Sequence, residues 1–193
     1  MKNLLDILGS FLIGGILLLM VLNFNLYTMS TSISSDKELI MHQNAKTLAE
    51  ILSYDLRKIG YNYTGTSIIT ADSNRLKYYA DLQPPNVSGH GIIDIVEYRV
   101  VPVNSGKPND FTNYKLVRII NNLDTLAGGT LGITKFRFSY FNAMGIETKA
   151  LDSIKYIKAE FWIHPTIKFN NPFISPKDST FTYWEMTINP RNI

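Results

Sequence analysis

Cysteine is absent from this chain of 193 residues, and that absence removes a disulfide framework, a thiolate metal site and a cysteine nucleophile together. The fold must be held by burial. Metal-ligand spacing is missing too: His42, His90 and His164 stand far apart and none belongs to a His-Glu-x-x-His pattern, so each reads as a surface or rim residue and no metal is expected. There is no Gly-x-Ser-x-Gly elbow, phosphate-binding glycine loop or dinucleotide fingerprint. Ser88-Gly89-His90-Gly91 sets a serine near a histidine, but adjacency in a glycine-rich loop is not a catalytic geometry. No catalytic residue, cofactor or small-molecule substrate is expected, and the chain does not read as an enzyme.

A strong charge of one sign is lacking as well. The net charge is +3, and the lysines and arginines are scattered rather than gathered into a stripe, so composition gives no electrostatic support to nucleic-acid binding. The 11 tyrosines and 10 phenylalanines fall largely in alternating runs, which suits half-buried strands better than a platform for stacking bases. Internal repeats and low-complexity tracts are also missing.

The most telling absence is local. From Ile7 to Ser35 there is no charged residue, and Leu8 to Leu22 is almost continuously apolar. The span from Leu4 to Leu26 meets the ~20 apolar helical residues that a bilayer core requires. At roughly −0.3 to −0.6 kcal/mol for each Leu, Ile, Phe or Val, its insertion is favourable by several kcal/mol after Ser10, the glycines, Asn23 and Asn25 are discounted. A cleaved secretory signal is the competing reading, with Lys2 ahead of the run and Ser30, Thr31 and Ser32 beyond it. Against it, the run exceeds the ~7 to 15 residues of a signal core, Asp6 offsets Lys2, and no Ala-x-Ala site occurs. An uncleaved anchor is the better reading, and Lys2 favours a cytoplasmic N-terminus with an exported body.

Ser35-Asp36-Lys37-Glu38 then reads as a capping box that opens a helix. Met41, Ala45, Leu48, Leu52, Leu56 and Ile59 follow at spacings of four and three, on one face. Gly60 is suited to close that helix, after Arg57 and Lys58 in its last turn. Either one helix runs out of the membrane or two meet in the Ser/Thr patch at 28–35. From Ser67 the helical period gives way to strand patterns at Ser67 to Thr70, Arg75 to Tyr79, Ile92 to Val103, Tyr114 to Ile120, Ile133 to Tyr140, Ile154 to His164 and Phe181 to Ile188. Five to seven strands are expected. Phe136, Phe138 and Tyr140 share a face, as do Ile157, Ala159, Phe161 and Ile163, and Trp184, Met186 and Ile188. Loops at Pro84-Pro85, Asn104 to Asn113, Asn121 to Gly132 and Asn170 to Thr180 are long enough to carry recognition surfaces. Asn62-Tyr63-Thr64 and Asn86-Val87-Ser88 match the glycosylation acceptor pattern, which matters only in a eukaryotic secretory route.

The expected fold class is α+β, a long N-terminal helix, membrane-spanning then amphipathic, packed on an antiparallel β-sheet. The expected domains are a transmembrane helix over 1–27, an amphipathic helix over 28–60 and a β-sheet domain over 61–193. Leu48, Leu52, Leu56 and Ile59 are the expected helix–sheet core.

The run from Asn44 to Tyr61, ending Asp55-Leu56-Arg57-Lys58-Ile59-Gly60-Tyr61, resembles the helix end of the type IV pilin-like and pseudopilin superfamily, nearest to the PilW-like minor pilins. There a Leu-rich helix finishes in Asp-Leu-Arg-x-x-Gly-Tyr. Ile133 to Gly145 resembles the strand and turn of that family, and Arg191-Asn192 sits where its members often end. The family's basic leader and Phe-Thr-Leu-x-Glu opening are not found; Gly9 has no acid five residues on. The resemblance implies a structural subunit of a bacterial envelope filament or secretion apparatus, inserted once in the inner membrane with its C-terminal body exported. Its partners would be the lipid bilayer and other pilin-like subunits or envelope assembly proteins. It also implies that Asp6 neutralises the amino group of a neighbouring subunit, the alternative being that Asp6 lies at the headgroup level beside Lys2 or water. Leu8, Leu12, Ile16, Leu19 and Phe24 would make helix contacts while Gly9, Gly14 and Gly15 permit close approach. A membrane-tethered binding module outside any filament is the alternative function.

Overall fold

A computed structural model of the chain describes residues 2–83, 87–103, 113–127, 131–164 and 181–193. The loops expected at Pro84-Pro85, Asn104 to Asn113 and Asn170 to Thr180 lie outside the described residues, except Asn113, which opens a strand. So does Asn86 of the second acceptor pattern.

One helix, α1, runs from Lys2 to Leu56. The Ser/Thr patch does not interrupt it, and Ser35-Asp36-Lys37-Glu38 lies inside the helix rather than at a start. The physical reason is that no glycine or proline stands between Gly15 and Gly60; polar residues alone lower helix propensity by a few tenths of a kcal/mol each, too little to stop propagation. The helix ends four residues before Gly60. Its final amides turn to tighter partners, Lys58 N–H on Asp55 C=O at 3.0 Å and Ile59 N–H on Leu56 C=O at 3.4 Å. Gly60 then leaves with φ +74°, where a Cβ would collide with the backbone of Asn192 and the hydroxyl of Ser67. Its N–H donates to Tyr79 C=O at 2.9 Å, tying the helix exit to the sheet.

Among the described residues the strands are β1 (Ile68–Asp72), β2 (Arg75–Ala80), β3 (Asp94–Val103), β4 (Asn113–Ile120), β5 (Leu123–Ala127), β6 (Ile133–Phe141), β7 (Tyr156–Ile163) and β8 (Thr182–Ile188), with a 3-10 turn at Leu151–Ser153 before β7. They form one antiparallel sheet in the order β1-β2-β3-β4-β6-β7-β8, with β5 paired to β4 beside that path. β5 falls inside the segment expected as the loop Asn121 to Gly132. Asn121 and Asn122 both take positive φ, 50° and 66°, and so make a two-residue hairpin turn that pairs Leu123 with Ile120.

Two compact units result, Met1–Leu39 and Ile40–Ile193. Within the second, Met41, Ala45, Leu48, Leu52, Leu56 and Ile59 are buried against the sheet. Ile59 does so from the turn beyond the helix. The facing side chains alternate along each strand: Leu76, Tyr78 and Ala80, then Val96 and Tyr98, then Phe136, Phe138 and Tyr140, then Ile157, Ala159, Phe161 and Ile163. Trp184 and Met186 pack partly buried at the margin. Each fully buried Leu or Ile contributes about 1.5–3 kcal/mol, so this stripe rather than helix propensity holds the second unit of α1 in place.

Candidate functional site

In the unit Met1–Leu39, α1 is long and apolar enough to cross a bilayer, and none of that stretch is buried. Ile7, Leu12, Ile16, Leu19 and Phe24 are all exposed. Several hydroxyls of the stretch bond back to the helix: Ser10 donates to Asp6 C=O at 2.8 Å, Thr28 to Phe24 C=O at 3.1 Å and Thr31 to Tyr27 C=O at 3.0 Å. Such back-bonds remove most of the cost of carrying Ser and Thr into an apolar medium.

At about 100° per residue, the helix brings Gly9, Leu12, Gly15, Ile16 and Leu19 onto one side and places Gly14 and Asp6 on another. A Cβ on Gly9, Gly14 or Gly15 would meet open space, so among the described residues no neighbour requires glycine there.

In the unit Ile40–Ile193, the last turn of α1 carries Asp55, 3% exposed in the apolar core. Arg118 on β4 places Nε 2.6 Å from Asp55 Oδ2 and donates from Nη2 to Oδ1 at 3.2 Å. The Nε contact is close without being aligned as a hydrogen bond, so Nη2 gives the directional bond while the delocalised guanidinium charge faces both carboxylate oxygens. Tyr98, opposite Arg118 in the β3–β4 ladder, donates its hydroxyl to Asp55 Oδ2. Tyr78 on β2 donates to the Asp55 backbone carbonyl at 3.3 Å. Burial and the Asp55 charge push both phenols well above the ordinary tyrosine range, which keeps them as neutral donors. The Asp55 carboxylate thus joins the helix end to β3 and β4, and its backbone carbonyl joins it to β2.

Asp81, after β2, is a second buried carboxylate. It accepts from Asn62 Nδ2 at 3.0 Å, Gly91 N–H at 2.8 Å and Gln83 N–H at 3.1 Å, with His90 Nδ1 3.1 Å from Oδ2. The Asn62 bond, with help from the two amides and His90, holds its pKa below the usual carboxylate range. This gathers the segment after β2 around one acid and fixes the turn that follows Gly60.

On the opposite face of the sheet lies Glu97 of β3, also buried. Arg75 donates to it from Nε at 2.9 Å and Nη2 at 3.2 Å, and Arg99 from Nε at 2.8 Å and Nη2 at 2.5 Å. Lys77 Nζ stands at 3.9 Å.

The histidines have separate settings. His42 is exposed on α1, His90 belongs to the Asp81 cluster, and His164 stacks on Phe181 with ring centroids 5.8 Å apart, where burial lowers its pKa. Among the described residues no group of three or more His, Asp or Glu lies close enough to hold a metal ion.

Sequence reasoning named the apolar stripe but gave Asp55 no role beyond its motif. The signal was its position, three residues after Leu52 and four before Ile59, which puts a carboxylate on the core face of the helix. Arg118, Tyr98 and Tyr78 carry no such signal, because the strand register alone brings them there.

A solved structure of a type IV-like pilin from Thermus thermophilus matches this chain with a TM-score of 0.51, covering 78% of this chain and 97% of that one at 12% identity. No family model matches the chain, and no curated protein does. At that identity the likeness is one of fold: a long N-terminal helix on an antiparallel sheet, arranged as in a type IV-like pilin.

Proposed function

We propose that this chain is a pilin-like or pseudopilin-like structural subunit of a bacterial envelope filament or secretion apparatus. The observation that carries the reading is α1 itself. Its first unit is bare and apolar, its last turns are fastened into a sheet domain, and the whole has a type IV pilin-like fold. The N-terminal helix is the anchor, single-pass in the inner membrane, and the domain after it is exported. Its partners are the bilayer and other pilin-like subunits or envelope assembly proteins, met through the face holding Gly9, Leu12, Gly15, Ile16 and Leu19, with Gly14 and Asp6 on a different side. The work is assembly, through helix packing in which small residues allow close backbone approach.

Replacing residues 1–27 with an unrelated membrane helix tests this. A filament subunit loses crosslinking to its partners and fails to assemble while its sheet domain stays folded. A membrane-tethered binding module keeps its function after the swap, and the excess of positive charge around Glu97 is the observation that favours that second reading. Leu in place of both Gly14 and Gly15 is the finer probe. Undiminished crosslinking of the G14L/G15L variant counts against assembly through this helix.

A further inference from the structure

The sheet face turned away from the helix-packed core is unevenly charged. In β6–β8, Lys158 lies between Glu160 at 3.2 Å and Glu185 at 3.1 Å, Arg137 reaches Glu147 at 3.5 Å, and Lys135 sits over the Trp162 ring at 4.4 Å. There the cations have their own partners. In β2–β4 the ratio inverts, with Arg75, Lys77 and Arg99 converging on the single carboxylate of Glu97. Lys115 of β4 belongs to the same face, since it pairs with Val101, two residues beyond Arg99.

Arg75 and Arg99 are direct partners in the β2–β3 ladder, a position where like charges repel. One bidentate arginine is enough to satisfy a buried carboxylate; the second arginine and the lysine exceed that need. Of the five N–H donors on each guanidinium, two point at Glu97, and the side chains remain 39% and 48% exposed. Glu97 thus holds two arginine forks side by side while cancelling only part of their charge. Beyond Lys77 on the same strand, Tyr79 stacks on Tyr63 at 4.6 Å and adds an aromatic margin.

We propose that Arg75 and Arg99, clamped together by Glu97, form a binding site for an oxyanion group, a phosphate or a carboxylate. The remaining donors of the two forks converge on the ligand's oxygens, Lys77 adds charge, and Glu97 serves as the positioning residue that keeps both forks ordered before the ligand arrives. Such a site takes a monoanion or dianion presented at the surface.

The test is a titration of the full chain in nonionic detergent at constant ionic strength, following the arginine Nε–H resonances by NMR. The two probes are inorganic phosphate and trigalacturonate. Saturable shifts at Arg75 and Arg99 are expected with at least one probe, and the probe that saturates decides between phosphate and carboxylate. The R75Q/E97Q/R99Q variant removes the carboxylate together with its arginines, so no buried charge is left uncompensated; its affinity should fall at least tenfold. R137Q, on the same face, should bind as the parent does. Shifts that rise linearly without saturation, or a triple variant that binds like the parent, overturn the proposal. The assay needs no assembled filament, so its failure and that of the assembly reading are separable.

Discussion

Asp55 and Glu97 are carboxylates buried to nearly the same degree, with side chains 4% and 5% exposed, and arginine answers both. They differ in the ratio of counter-charge. The Asp55 carboxylate meets one arginine, itself only 18% exposed, and one neutral phenol, with a second phenol on the backbone carbonyl, so one cation answers one carboxylate in a largely buried setting. Glu97 meets three cations, two of them well exposed. Burial therefore does not reveal what a carboxylate is for; the balance and exposure of its partners do. The first arrangement fixes a helix to a sheet, and the second presents positive charge on a surface.

The largest effect that would break this comparison is expected at Asp55. Asp55→Ala takes the carboxylate away from Arg118 and the acceptor from Tyr98, and removing one member of a buried pair costs about 3–5 kcal/mol. A chemical-denaturation midpoint followed by tryptophan fluorescence measures it. Replacing both members by apolar residues, D55L/R118M, should recover most of that loss, because the pair's own desolvation is removed with it. If the double variant is as unstable as Asp55→Ala, the pair is not the unit that matters.

The role of Asp55 was only half legible in the sequence. Periodicity alone placed Leu48, Leu52, Leu56 and Ile59 on one helix face, and alternation placed Phe136, Phe138 and Tyr140 together. Both signals are local, since side-chain direction follows from a period of 3.6 or 2. Arg118 lies 63 positions from Asp55, and only the register that pairs it with Tyr98 aims it at the helix; nothing within either segment encodes that. β5 is not legible in the sequence because Asn121-Asn122 reads equally as a loop or as a tight turn, and Leu123–Ala127 is too short to show a period. The sequence leaves the uninterrupted helix undecided because a capping box is a motif of four residues, whereas helix propagation is decided by the absence of breakers over forty-four positions, Ile16 to Ile59. In the unit Met1–Leu39 the apolar pattern gives length and no more, because an apolar run on all sides of a helix singles out no face.

Glu97→Gln is expected to cost less, about 1–2 kcal/mol, since the exposed guanidiniums regain water when the carboxylate goes. Its signature is salt. The variant leaves Arg75, Lys77 and Arg99 repelling one another, and raising ionic strength screens that repulsion; the lost stability should be partly restored in high salt, while that of Asp55→Ala should not. Equal salt responses would erase the distinction between the two sites.

Acid sharpens the comparison further through Asp81 and Glu97, whose pKa values both lie below the ordinary range. For Glu97 burial works upward, but the bonds from Arg75 and Arg99 outweigh it. A carboxylate with a folded pKa below its unfolded value of about 4 contributes stability at higher pH and loses it as pH falls through the folded value. Unfolding midpoints measured from pH 6 down to pH 2 should therefore decline below about pH 4. Asp81→Asn, which keeps an acceptor for Asn62, should make that decline shallower; an unchanged slope would show that Asp81 is not one of the groups responsible.

The smallest effect sets the zero of the scale. Arg137 reaches Glu147 at 3.5 Å with side chains 53% and 62% exposed, on the same sheet face as Glu97. Coulomb attraction there acts through water, and holding two long side chains in one geometry costs entropy of similar size, so such pairs contribute about 0–1 kcal/mol. Arg137→Gln should leave the denaturation midpoint within error at both low and high salt. That null result is informative because Arg137 shares charge type, strand setting and face with Arg75 and Arg99, and differs in meeting an exposed carboxylate instead of a buried one. A loss comparable to Glu97→Gln would mean that any cation on this face carries such weight, and the buried carboxylate would no longer be what distinguishes the Arg75–Arg99 cluster.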